Sequence, residues 1–475
     1  MSTDVPDAGA PSAYTAARPD RLSAGTIARY ATGSVGTGGF ATLPGLVLTY
    51  YLTDSLGVAA LAAGAVITTA KIWDVVIDPV IGALTDRDLA RHGTRRRLML
   101  IGACSIPVLF ALTFAVPPAL GAVVGAIWVL IAFLLTATAF SLFQVPYIAL
   151  PAELTPGYDE RTRLLTWRVV VLTFSILLFG AGGPALRGVT GDPTTGYLIM
   201  GVVSGVVIAG GMLVATTVAR RPVTATGAPL PAPALAAPAR VPIREHYAAG
   251  IRSLRRSAPF RALLSTFVLQ ALATGLMLAG AQYVATWVMH SEDAVQLLFI
   301  ALIAPALFAA PGWGLVSRRL GKERTFAIAG AVFAVAALTI VFALWVPGEW
   351  IYAPVAVAGI AYAGMQALPM AMLPDVISHD EVASGPGQAG AFSGVWTAGE
   401  TIGFALGASV LTIILALTGY VSSTAGASVT QPDAAISGIV ISFSVVPAAL
   451  IGLSLLTLSR YRLRRADIDG AALLR

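Results

Sequence analysis

Only 11% of the 475 residues are charged, so an ionisable side chain inside an apolar run carries chemical meaning. Placing one in the middle of a bilayer costs at least about 2.5–3.5 kcal/mol on insertion scales. Five residues meet that description: Lys71, Asp74, Asp78, Arg168 and Glu400. In AKIWDVVIDP, Asp74 and Asp78 are spaced i, i+4 and share one helical face, with Lys71 joining at i−3. Two carboxylates this close repel, and relax by sharing a proton or by binding a hard cation through oxygen. Pro79 removes a backbone donor and frees a carbonyl one turn earlier, a further oxygen for such an ion. The competing structural reading is a Lys71–Asp74 ion pair with Asp78 capping a kink. Two buried acids, however, need more than one lysine.

Around this pair lie candidate contacts for a solute. In SLFQVPYIALPAE, Ser141 and Gln144 are three apart and can face a common cavity, with Pro146 kinking the helix beside Tyr147. Such a polar stripe serves helix packing as readily as ligand binding. Arg168, in LLTWRVVV, either snorkels to the membrane surface or clamps a substrate. In GAFSGVWTAGETIGFALGASV, Glu400 is flanked by Gly399 and Gly403, with Trp396 one turn earlier. Small residues permit close helix packing, and Glu400 reads as a proton site or a substrate contact. Trp396, Trp287, Tyr283 and Phe143 either line a cavity or pack.

The elements that position these residues are membrane helices. Hydrophobic residues make up 57% of the chain, which excludes a soluble enzyme, a disordered protein and a nucleic-acid binder. Apolar runs of about 20 residues, the length a bilayer requires, fall near 30–52, 57–84, 98–116, 119–152, 164–186 and 196–219. A second set falls near 262–288, 294–316, 325–346, 350–374, 388–420 and 435–459. If both termini are cytoplasmic, 27 of the 30 Lys and Arg lie on that side. Arg187 falls in an external loop, and Lys71 and Arg168 fall within spans. That asymmetry sets the orientation and accounts for the net charge of +6 without any anionic partner.

The predicted organisation is therefore a cytoplasmic tail (1–29), six spans (30–219), a Pro/Ala-rich cytoplasmic linker with a possible basic amphipathic helix (220–258), six more spans (259–459) and a cytoplasmic tail (460–475). The single cysteine, Cys104, precludes an intramolecular disulfide. The first 28 residues read as a polar tail rather than a signal peptide. A weak repeat relates the halves: GALTDRDLARHGTRRR after the second span and GLVSRRLGKER after the eighth. Here Gly82 and Gly314 each open a glycine-then-basic turn and permit close helix approach. Asp86 can pair with arginines across a gate, making Gly82, Asp86, Arg87, Arg95 and Arg96 the gating candidates. Six plus six spans around a long loop is the parallel-repeat plan of major facilitator transporters. The fold class expected is all-α, twelve transmembrane helices in two six-helix bundles.

These segments together resemble the glycoside–pentoside–hexuronide:cation symporters, the melibiose-permease-like branch of the major facilitators. The resemblance rests on KIWDVVIDPVIGALTDR with HGTRRR, VPYIALPAELTPGYDERTRLLTWR, AMLPDVISHDEVASGPGQAG and the eleventh span ending LTGY. The sodium-dependent lysophospholipid symporters share much of the pattern. The resemblance implies that Asp74 and Asp78 are cation-site carboxylates, that Ser141 adds a hydroxyl to that site, and that Arg168 is the fifth-span arginine of the sugar site. It also exposes departures. A first-span acid of the family falls near Gly38, a fourth-span acid is Gln144, and an eleventh-span lysine falls at Thr401, beside Glu400.

The function expected is cation-coupled symport of a small organic solute, sugar- or glycoside-like by family, by alternating access in the inner or plasma membrane. The coupling ion is Na⁺ (then held by Asp74 and Asp78) or H⁺, with no other cofactor, and the protein is expected to be a monomer. The substrate is expected near Gln144, Tyr147, Arg168, Trp396, Glu400 and Thr401. Three other readings compete. These are a lysolipid or amphiphile transporter, a proton-driven exporter of a hydrophobic compound using Glu400, and a non-transporting scaffold. No enzyme is expected: His92, His246, His290 and His379 lie in loops or at their edges, and no nucleophile–base pairing is visible.

Overall fold

The structure, a computed structural model, describes residues 21–155, 158–219, 252, 254–384, 389–427 and 429–463. The first half holds α1 (Ala24–Thr32), α2 (Ser34–Tyr50), α3 (Ala60–His92), α4 (Arg96–Thr113), α5 (Gly121–Leu154), α6 (Tyr158–Arg187) and α7 (Pro193–Thr216). The second holds α8 (Ala258–Tyr283), α9 (Ala294–Leu320), α10 (Lys322–Thr339), α11 (Tyr352–Ser384), α12 (Ala389–Leu417), α13 (Asp433–Phe443) and α14 (Val445–Leu458). Eleven segments among the described residues are long and apolar enough to cross a membrane, α13 and α14 counting as one. The remaining crossing is α1 with α2, interrupted at Gly33, which completes twelve.

Helices are the only economical answer to these apolar runs, because lipid offers no partner for backbone N–H and C=O groups. Large apolar side chains accordingly point outward as well as inward: Phe308 is 85% exposed and Leu417 82%, faces that lipid would cover. Inside, small residues let helices cross closely. A Cβ on Gly403 of α12 would lie 2.7 Å from Ala271 Cβ and 2.9 Å from Val268 O of α8, so any side chain there would push these helices apart.

The helices α3, α5, α9 and α11 end, and α4, α6, α8, α10 and α12 begin, at one end of the molecule. That end, the basic end, carries Arg95, Arg163, Arg256 and Lys322. Several helices overrun the bilayer there. At 33 residues, α3 is about 50 Å long.

This changes the reading of the charged repeat. Gly82 lies inside α3 and Gly314 inside α9, so neither opens a turn. Neither supports a tight crossing: a Cβ on Gly82 would find its nearest neighbour, Val145 Cγ1, at 3.9 Å, and one on Gly314 would meet nothing within 4 Å. The chain turns eleven residues later, at Gly93, whose φ of +66° caps α3 in the left-handed region that favours glycine. The amphipathic helix expected in the linker falls largely outside the described residues.

Candidate functional site

On α3, Lys71 Nζ lies 3.2 Å from Asp74 Oδ2. One turn further on, Asp78 Oδ1 accepts a 2.6 Å hydrogen bond from Ser141 Oγ of α5. A second link between the same two helices, Trp73 Nε1 to Thr138 Oγ1 at 2.9 Å, fixes their register. The two carboxylates and the hydroxyl thus converge from adjacent helices. An exposed Asp78 leaves lone pairs free for a hard cation, which takes oxygen ligands. The donors are carboxylate and hydroxyl oxygens, which suit hard cations rather than soft ones.

Beside it, Gln144 accepts a 2.8 Å bond from Thr37 of α2. Arg168 of α6 holds its guanidinium 5.5 Å from the Tyr147 ring centre, and its Nε has no hydrogen-bond partner. Tyr147 itself is fully buried. Its hydroxyl donates to Tyr30 O at 2.9 Å and meets Ser34 Oγ at 3.1 Å, and its ring stacks on Tyr30 and Phe143. The residue expected beside a solute is therefore packed interior that supports Arg168. At Gly38, where the resemblance put an acid, a Cβ would lie 2.7 Å from Ser175 Cβ of α6. A carboxylate there would need α2 and α6 to separate.

In the second half, Trp396 stacks on Phe267 at 4.2 Å and is 2% exposed, again packed rather than lining open space. Glu400 and Thr401 are half-buried. Glu400 has no hydrogen-bond or ion-pair partner among the described residues and lies within electrostatic reach of Tyr362.

The gating candidates gather only in part. Arg95 pairs with Asp86 at 3.0 Å and Glu153 at 2.5 Å, all within the first half and not across a gate. Arg87 is exposed, and Arg96 leaves its Nε unpartnered.

The far end holds what sequence reading missed. Asp54, buried in the π-helical segment Tyr51–Ser55 that continues α2, accepts from Tyr420 Oη at 2.6 Å and from Thr53 Oγ1 at 2.5 Å. Thr53 meets Tyr283 Oη at 2.7 Å, and Trp287 donates to Tyr420 at 2.8 Å. Ser423 N donates to Thr53 O and Ala425 N to Ser55 O, a short antiparallel bridge between the halves. Arg187, read as a lone loop cation, is 6% exposed and pairs with Glu292 of the other half at 3.1 Å. The available signal was an acid directly after an apolar run, in YLTDS, facing a tyrosine in LTGY.

Residues 29–465 match the family model described as MFS/sugar transport protein. The chain belongs to that family. The MFS/sugar transport protein family is one of transporters rather than enzymes, and the resemblance drawn from KIWDVVIDP is borne out at this level. A candidate glycoside/cation symporter of Escherichia coli (strain K12), YagG, is 27% identical over 443 residues, covering 89% of this chain and 88% of the relative. Sodium-dependent lysophosphatidylcholine symporter 1-A of Danio rerio is 22% identical, covering 88% and 82%. Among solved structures, a D-xylose-proton symporter superposes with a TM-score of 0.66 over 93% of this chain and 98% of the other, at 14% identity. At that identity it supports the major facilitator fold alone.

Proposed function

We propose that this protein is a cation-coupled symporter of a small, sugar-like solute, with Asp74, Asp78 and Ser141 as the coupling-ion site. The observation that carries the reading is the 2.6 Å bond from Ser141 to Asp78, one turn from the Lys71–Asp74 pair. It joins two helices at a carboxylate that lacks a cation of its own. Lys71 balances one acid, so the pair favours one further positive charge, Na⁺ or H⁺. Binding that charge removes the repulsion that keeps the site unfavourable when empty, and thereby changes the relative stability of the two access states.

The basic end faces the cytoplasm in this reading, because Lys and Arg concentrate there, with both termini on that side of the inner or plasma membrane. The solute sits between the halves near Gln144, Arg168, Glu400 and Thr401, while Tyr147 and Trp396 hold the walls. The halves rock about it in the manner of parallel-repeat transporters. YagG, named as a glycoside/cation symporter candidate, supports the solute class.

The test is uptake in proteoliposomes. Asp78→Asn should abolish concentrative accumulation under an imposed Na⁺ or proton gradient while leaving solute exchange at equal concentrations measurable. Accumulation at the wild-type level would sink the coupling site.

A further inference from the structure

The cross-half seam at the far end is built around one acid, and its protons can be counted. Trp287 Nε1 can only donate, so its 2.8 Å bond makes the Tyr420 hydroxyl an acceptor. The Tyr420 proton is then left for Asp54 Oδ1 at 2.6 Å. The other carboxyl oxygen, Oδ2, lies 2.5 Å from Thr53 Oγ1, which also meets Tyr283 Oη at 2.7 Å and Thr49 O at 3.2 Å. Thr53 therefore has two settings. It donates to an ionised Asp54, or it turns its proton to the Thr49 carbonyl and accepts one from a protonated Asp54. Each of these groups keeps a partner in both settings.

Charge separates the two forms. Asp54 lies between the first and second apolar runs, is 8% exposed, and has no Lys, Arg or His partner among the described residues. The groups facing it are neutral: Tyr420 from the loop after α12, Tyr283 of α8, and Trp287 from the segment after α8. Tyr50, one turn earlier, meets the Tyr283 ring edge-on at 5.2 Å. Arg187 sits beyond Tyr50, over the Tyr50 and Tyr197 rings at 5.9 and 5.5 Å, and is paired with Glu292 at 3.1 Å. That pair offers Asp54 no net positive charge. His290, in the loop after α8, is exposed. A carboxylate buried without a counter-charge is disfavoured against its neutral form, and burial pushes Asp54 up to about 7. When the halves part, Tyr420 leaves and water arrives, so Asp54 ionises at an ordinary value of about 3.9.

We propose that Asp54 is a proton-operated latch: sealing the far end takes up one proton on this carboxyl, and opening releases it to the solution on that side. The closed state binds the proton more tightly, so acid favours closure. That advantage is complete below about pH 4, falls as pH rises, and is spent once pH passes about 7. The far end faces outward in the symport reading, so external acid holds the outer gate shut. The latch rests on that reading only for the parting of the halves, and it is separate from the cation site on α3.

The experiment uses the full-length protein in nanodiscs, in a Cys104→Ser background, with spin labels at Val189→Cys and Val346→Cys. These positions are 68% and 63% exposed at the far end of the first and second halves. The fraction of long label-to-label distances is followed from pH 5 to pH 8. In this parent the open-to-closed ratio should rise at least about tenfold, levelling off above pH 7. Asp54→Asn still accepts from Tyr420 and donates to Thr53, so it should stay closed with a flat ratio. His290→Asn should leave the rise intact. A flat ratio in the parent, a rise that survives Asp54→Asn, or a rise lost in His290→Asn would each overturn the latch. The parent series decides the matter even where Asp54→Asn misfolds. Asp54→Ala separates the two failures. Long distances there, with a parent that ignores pH, mean that the halves part and the proton claim alone falls. Short distances in every variant at every pH remove the latch and the parting together.

Discussion

The two ends of the molecule are held by different kinds of contact. At the far end, polar bonds run from one half to the other: Asp54 to Tyr420, Thr53 to Tyr283, Arg187 to Glu292, and the backbone bridge at Leu56 and Thr424. At the basic end, the ion pairs seen among the described residues join groups of the same half: Arg95 with Asp86 and Glu153, Arg256 with Asp380, Lys322 with Asp375. Parting the halves at the basic end breaks none of these pairs. Parting them at the far end exposes a buried carboxylate and a nearly buried guanidinium. The structure is thus locked at the far end, and the proposed rocking requires those bonds to break. A lock made of a few directional hydrogen bonds suits a switch better than a greasy seam. Each bond is made or lost as a unit, and water can take its place when the seam opens.

The largest expected effect comes from removing the lock's centre. Asp54→Ala leaves the Tyr420 and Thr53 hydroxyls without their shared acceptor. A buried hydrogen bond to a charged group contributes about 1.5–3 kcal/mol. The far-end-open population should rise roughly 10- to 150-fold. Since Cys104 is the single cysteine, Cys104→Ser gives a clean background for labelling. Leu278→Cys, at a residue packed on Gly45 of the other half, then reports far-end opening by its rate of reaction with an impermeant maleimide. An unchanged rate would remove Asp54 from the lock.

The contrast between ends also explains what was legible in the sequence. Asp74 and Asp78 declare themselves because two acids four residues apart, inside an apolar run, can only share one helical face. The overall fold follows from run lengths alone, since lipid forces each run into a helix. Asp54 does not declare itself. It falls just past an apolar run, where an acid is ordinarily solvated, and its burial is imposed by a loop 366 residues away. Arg187 was hidden for the same reason. Tyr147 and Trp396 show the converse limit, because an aromatic on a membrane helix reads alike whether it lines a cavity or packs. Only the positions of Tyr30 and Phe267 decide it. The glycines of the charged repeat misled through their neighbours: helix continued past Gly82 because nothing before Gly93 breaks it.

A smaller effect is expected at the waist, where Thr68 of α3 meets Ser409 of α12 at 2.6 Å. This is a neutral bond between half-buried hydroxyls, and each partner keeps a backbone carbonyl as an alternative, Gly64 O and Ala405 O. Thr68→Val removes it at nearly constant volume. A net contribution of about 0.5–1.5 kcal/mol corresponds to a two- to tenfold rise in labelling at Leu278→Cys. A rise equal to that of Asp54→Ala would place the decisive contact at the waist rather than the far end.

The smallest effect should come from the basic end, and it is the sharpest check on the comparison. Arg95 lies between two acids with its side chain 13% exposed, yet Asp86 and Glu153 keep 58% and 28% of their side-chain surface. Partly hydrated pairs of this kind contribute about 0–1 kcal/mol. Moreover, all three groups belong to α3, the turn after it and α5, which travel together when the halves move. Arg95→Gln therefore removes the same interaction from both access states, and the difference between them is left alone. Labelling at Leu278→Cys should stay within twofold of the parent, with any loss appearing as a lower unfolding temperature instead. A large shift in either direction would mean that Arg95 reaches across to the second half in the other state. The basic end would then be a lock in its own right, open in this structure and closed in its counterpart.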